Sequence, residues 1–199
     1  KIMKKLLMML VMATVAMTAS AQNTLRDKGS FTLQPKAGVG IGTIAGSWTT
    51  IGGEKDKARI GFVAGLEGEY YAADWFGLAV GLNYAQQGFK FEGEDFKETT
   101  KLDYLNVPIV GNFYVAKGLA LKTGFQFGFL MNAKLDSQDI KDLCNKVNFA
   151  IPIGVSYEIE NVVLDLRYNL GLNKTNKADN GNKARTDLIQ ITLGYKFNL

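Results

Sequence analysis

Hydrophobic and polar positions alternate along most of this chain. The pattern is most regular near the end, from Ile189 to Leu199. Ile189, Ile191, Leu193, Tyr195, Phe197 and Leu199 are large and apolar, while Gln190, Thr192, Gly194, Lys196 and Asn198 between them are polar or glycine. A period of two over this length predicts a strand with two unlike faces. It also matches a tilted membrane-crossing strand of roughly 9–11 residues. Seven earlier segments repeat the pattern: Phe31–Thr43, Arg59–Tyr71, Phe76–Gln87, Leu102–Val115, Leu119–Met131, Val147–Ile159 and Val162–Asn173. With Asp187–Leu199 they make eight predicted strands.

The spacing between them has its own rhythm. Polar stretches at Ala45–Ala58, around F-E-G-E-D-F-K-E, at Asn132–Lys146 and at Lys174–Thr186 predict long loops. They alternate with short turns at Ala72–Trp75, Ala116–Gly118 and Glu160–Asn161. Long and short connections alternating over an even number of strands, with apolar-out and polar-in faces, describe an outer-membrane barrel. Phe31, Tyr70, Trp75, Phe76, Phe113, Tyr157, Tyr195 and Phe197 all fall near the short-turn ends, as an interfacial aromatic girdle requires. The fold expected is all-β: an eight-stranded antiparallel up-and-down transmembrane β-barrel, preceded by a signal peptide. A soluble lipocalin-type barrel would turn the apolar face inward around a ligand. Two features oppose it. The polar face is crowded with Gly, Ala and Asn, which suit a cramped lumen, and the apolar face is bulky and nearly free of charge.

The first residues read as a leader. Lys4 and Lys5 precede the apolar run Leu6–Ala16, and Ala19-Ser20-Ala21 forms a small-residue cleavage site before Gln22. The expected organisation is therefore a signal peptide at 1–21, with Met3 as its start, and a barrel domain at 22–199. Losing Lys1, Lys4 and Lys5 with the leader brings the formal charge of +4 close to neutral, so a nucleic-acid partner has no bulk electrostatic support. Gly194, Phe197 and Leu199 resemble the C-terminal signal by which outer-membrane barrels are recognised and inserted.

Tyr104-Leu105-Asn106-Val107-Pro108-Ile109 and Leu164-Asp165-Leu166-Arg167-Tyr168-Asn169-Leu170-Gly171-Leu172, with the last strand, resemble the PorT-like outer-membrane β-barrel family. The chain departs from that family at Asn106, where many members carry an acid. The resemblance implies a role linked to protein secretion and surface export, and secretion-system or surface protein partners beside outer-membrane lipid. It supplies no catalytic residues.

The chain holds no histidine, which removes Ser-His-Asp and Cys-His catalysis and histidine metal sites. Gly38-x-Gly40-x-Gly42 lies within a strand and lacks the helix a dinucleotide site needs. Asp136, Asp139 and Asp142 lack calcium-loop spacing, and Glu92, Glu94, Asp95 and Glu98 read as solvated loop acids. Cys144, the single cysteine, reads as a loop thiol without a catalytic role. No enzyme activity, cofactor or metal is expected. Pro108 and Pro152 sit inside strands, where each removes a ladder hydrogen bond; a local shape device such as a bulge is the favoured reading, and a weakened wall permitting lateral exit of a lipid-like ligand is the functional alternative. Small-molecule binding or uptake through the lumen or wall is the alternative function, and a soluble carrier a more distant one.

Inward-facing charges are the remaining signal. Lys36, Glu67, Glu69, Lys122, Asp165, Arg167 and Lys196 all fall on the polar face in the short-turn half. Charges of both signs in a narrow lumen are expected to pair into a plug, because an unpaired buried charge is costly. The other half, with Gly40, Gly61, Gly65, Asn83, Gln126, Gly128, Ala150, Gly154, Asn169 and Gly171, is expected to form a shallow vestibule. Loops near Trp48, Glu94, Cys144 and Asn180 are expected to face outside.

Overall fold

A computed structural model describes residues 28–45, 55–92, 97–135, 138–173 and 185–199. The expected leader and the loop positions Trp48, Glu94 and Asn180 lie outside them. Eight long strands follow one another: β1 Phe31–Ala45, β2 Lys55–Ala73, β3 Phe76–Glu92, β4 Lys97–Ala116, β5 Leu119–Leu135, β6 Val147–Ile159, β7 Val162–Gly171 and β8 Arg185–Tyr195. β8 resumes after Lys196 as Phe197–Asn198, and a two-residue strand, Gln138–Asp139, sits between β5 and β6. Each long strand pairs antiparallel with the next. β1 also pairs with β8, so the sheet closes into a barrel without a free edge.

The hairpins at one end are tight. Lys117–Gly118 turns with Gly118 at φ +79°, and its carbonyl accepts the Glu158 N–H at 2.8 Å. Glu160 adopts φ 54° in the turn before Asn161, an uncommon left-handed conformation for a residue with a side chain.

Side-chain parity follows the alternation. Apolar side chains point outward on every strand: Ile60 is 72% exposed and Phe125 65%. Charged and amide side chains fill the interior. A soluble barrel would bury the first set and expose the second. Inversion on all eight strands is what lipid contact requires.

Several strands run past their predicted ends. β3 and β4 pair as far as Glu92↔Lys97, through Phe91↔Glu98 and Lys90↔Thr99, so most of the expected second loop is hairpin. β2 begins at Lys55 and β5 ends at Leu135. Hairpin pairing satisfies backbone groups in water as well as in lipid, so polar composition does not end a strand there.

The prolines do not produce bulges. The β3–β4 pairing stops between Val80↔Ile109 and Asn83↔Asn106, beside Pro108, and resumes in the same register. The β5–β6 pairing stops between Thr123↔Ile153 and Gln126↔Ala150, beside Pro152, again without a shift. Each proline removes its N–H on one side while the other ladder stays continuous: Pro108↔Gln126 and Pro152↔Asn169 are paired. Register shifts occur elsewhere, for example between Asp103 and Tyr104 on β4.

Candidate functional site

The alternation that turns apolar residues out places Lys36 (β1), Glu67 and Glu69 (β2), Lys122 (β5), Asp165 and Arg167 (β7) and Lys196 inside the barrel, all buried. They form two layers. In the first, Glu67 accepts from Lys36 Nζ at 2.5 Å and from Arg167 Nη2 at 3.3 Å, with Lys122 Nζ at 3.6 Å. Asp165 accepts from Lys122 at 2.6 Å and Arg167 at 2.8 Å. Asp165 and Arg167 stand two apart on β7, on one face, so the ring strand places them side by side. Glu67 and Lys122 come from β2 and β5, three strands apart around the wall, so the layer crosses the lumen. Arg167, the largest fully buried side chain, is 0% exposed.

The second layer lies nearer the short turns and centres on Lys196. Its Nζ meets Glu69 Oε2 at 2.9 Å and Glu158 Oε2 at 3.0 Å. It donates to the hydroxyls of Tyr71 at 2.8 Å and Tyr114 at 3.0 Å, and stands 5.4 and 5.5 Å from their ring centroids, within cation–π range. Glu69 also accepts from Asn112 Nδ2 and Tyr114 OH, each at 2.7 Å.

Glu158, Tyr71 and Tyr114 were not among the residues expected here. Parity alone places them: Glu158 continues the series Asn148, Ala150, Pro152, Gly154, Ser156 on β6. Proximity to the turn masked it, just as an aromatic near a turn reads as girdle. Glu158 matters to the charge balance. With it, the cations Lys36, Lys122, Arg167 and Lys196 face the anions Glu67, Glu69, Glu158 and Asp165 in equal number.

A family model for the outer membrane protein beta-barrel domain matches residues 20–177. The chain belongs to that family. It is an integral β-barrel protein of the outer membrane. Among solved structures it is similar to the attachment invasion locus protein Ail of Yersinia pestis, at 16% identity over 86% of this chain and 100% of that one, with a TM-score of 0.53. Neisserial surface protein A is similar at 18% identity over 85% of this chain and all of that one, with a TM-score of 0.55. At such identities the likeness is one of fold. No curated protein matches the chain.

Beyond the ion pairs, on the long-loop side, the barrel interior is polar and then apolar. Asn83, Asn106, Asn169 and Gln190 are buried with side-chain atoms that have no protein hydrogen-bond partner. Further out, Leu102, Tyr104, Leu130, Ala133 and Cys144 pack into a buried cluster with Ile140 against it, and Val63, Ala85 and Leu188 form a second. These large inward side chains replace the expected vestibule of small ones. They were missed because Leu102, Leu130 and Leu188 are apolar residues on the face expected to be polar. Cys144 is 7% exposed and belongs to the first cluster, so it is not an open loop thiol. The segment carrying it folds back on β5: Ile140 N–H donates to Ala133 O at 3.0 Å, and Leu130 N–H to Lys146 O at 2.8 Å. Asp139 accepts the Lys141 N–H at 2.9 Å within this turn. Among the described residues, no group of three acidic, histidine or cysteine side chains is placed to hold a metal ion.

Proposed function

We propose that this protein is a non-enzymatic, closed outer-membrane barrel that acts through its external loops or as a structural part of the membrane. The observation that carries the reading is the two-layer ion-pair network, in which Glu67, Lys122 and Arg167 reach across the lumen and, among the described residues, each inward charge of the short-turn half meets one of opposite sign. An eight-stranded barrel is just wide enough for side chains to fill. Balanced, buried charges fill it with groups that water or a solute displaces only at the cost of an unpaired ion. The apolar clusters around Tyr104 and Leu188 close the other half. Uptake through the lumen requires both to open.

Function then lies at the surface. Strands that extend past the wall, such as the β3–β4 hairpin, carry the loops outward. The PorT-like resemblance of Tyr104–Ile109 and Leu164–Leu172 extends the proposal to a partner in protein export. Affinity capture from cross-linked cells tests it. Co-purification of export components supports that link. A barrel recovered with lipid alone supports the structural role and removes the export role.

A further inference from the structure

Among the described residues, the outer wall carries a recess that its own side chains leave uncovered. It lies at the closing seam between β1 and β8, is a shallow, open depression of about 330 Å³, and is lined by Pro35, Lys36, Ala37, Leu193, Gly194 and Tyr195. The lysine brings no charge to it, because its ammonium is turned inward onto Glu67. Every side chain offered to the recess is therefore uncharged. Pro35 and Ala37 make the floor low, and Ala64, paired with Ala37 on β2, continues the low strip.

At Gly68 and Gly111 the wall covers its own low points. At Gly68 a Cβ would stand 2.8 Å from the Phe31 ring, and at Gly111 3.1 Å from Phe76 and 3.3 Å from Phe113. Aromatic rings thus lie over both outward glycines. At the seam, Tyr195 packs on Phe197, with ring centroids 4.8 Å apart, and walls the recess without filling it. The backbone beneath is also less tightly joined. The β1–β8 register is the same at Leu33↔Phe197 and Lys36↔Gly194, yet the two pairs between them are not made, and Pro35 has no N–H to give. The Lys196 N–H in this gap is satisfied from the neighbouring turn instead, by the Asn161 carbonyl at 2.7 Å, as backbone in lipid requires.

We infer that this recess seats one acyl chain of a phospholipid from the leaflet on the short-turn side. The surface around it is the lipid-facing wall of an outer-membrane barrel, so the recess is continuous with an established lipid interface. Its volume of about 330 Å³ is at the small end of ligand pockets, and its openness to the bilayer suits a chain lying along the wall. This inference goes beyond the proposed function and does not depend on a closed lumen.

The test uses the mature barrel purified in mild detergent, loaded with dioleoyl-phosphatidylethanolamine, and native mass spectrometry of the retained lipid. Ala37→Phe fills the recess, and Val107→Phe adds the same ring to another part of the outer wall. One phospholipid is expected on the unmodified barrel and on Val107→Phe, with affinity weakened roughly tenfold or more by Ala37→Phe. A heat-modifiable gel band establishes that each variant is folded. Should Ala37→Phe fail to fold, Ala37→Leu takes its place with the same expected direction. Equal retention by the filled and unfilled barrels, no retained lipid on the unmodified barrel, or a barrel dimer in place of the lipid overturns the assignment.

Discussion

Arg167 donates through Nη2 to both Asp165 and Glu67, at 2.8 and 3.3 Å, and is the hub of the first ion layer. Truncating it leaves two buried carboxylates short of a cation. Breaking a buried pair in this way costs about 3–5 kcal/mol, because a charge is left uncompensated. Arg167→Ala is therefore expected to lower stability by that amount in urea titration of the folded barrel. An unchanged midpoint would show that the layer is not truly desolvated. Glu158 and Lys196 make a second residue-scale test. In a double-mutant cycle of Glu158→Gln and Lys196→Met, the two changes are expected to be non-additive, with a coupling of about 0.5–3 kcal/mol. Strict additivity would mean that the 3.0 Å contact between them contributes nothing. The network was legible in the sequence as far as parity was followed. Lys36, Glu67 and Arg167 were placed because polar residues flank them at a spacing of two. Glu158 and Tyr114 obey the same spacing, but lie within a few residues of a turn, where a polar or aromatic side chain has an ordinary alternative explanation.

At the scale of elements, strand phase was legible and strand length was not. Alternation marks which residues face lipid, because a one-residue slip would turn every side chain to the wrong face. It does not mark where pairing stops, because backbone hydrogen bonds continue beyond the membrane wherever a hairpin permits. Hence β3 and β4 run to Glu92 and Lys97 through a stretch that composition assigns to a loop. The β5–β6 connection gives the clearest consequence. Gln138–Lys146 looks like a polar external loop, but Ile140 and Cys144 turn into the barrel mouth against Leu102 and Tyr104. A bulky maleimide applied to intact cells is therefore expected to label Cys144 slowly, and to label it rapidly once the barrel is unfolded in urea. Fast labelling of the folded protein would show that this segment does not pack as described. The prolines teach the same lesson. That Pro108 and Pro152 disturb the ladder was readable from their chemistry; that they leave register intact depends on the unbroken pairing of the opposite strand edge.

For the whole molecule, closure of the sheet and inversion of its faces are one fact seen twice. A barrel without edges has every strand paired, and an apolar exterior is stable only in lipid. The unboiled protein is expected to migrate anomalously on gels and to fractionate with outer membranes. Recovery from the periplasm without detergent would contradict the membrane assignment. Whether the interior conducts is a separate matter, and it carries the functional proposal. The interior is crossed by Lys36, Glu67, Lys122, Asp165 and Arg167 in one layer and by Glu69, Glu158 and Lys196 in another, with apolar clusters beyond. Conductance of the unmodified barrel in planar bilayers measures this closure directly. The structure predicts silent insertion, with no steady unitary current across the range of applied voltage; persistent open-channel steps from the folded, unmodified protein would contradict a closed lumen and return the function to solute passage.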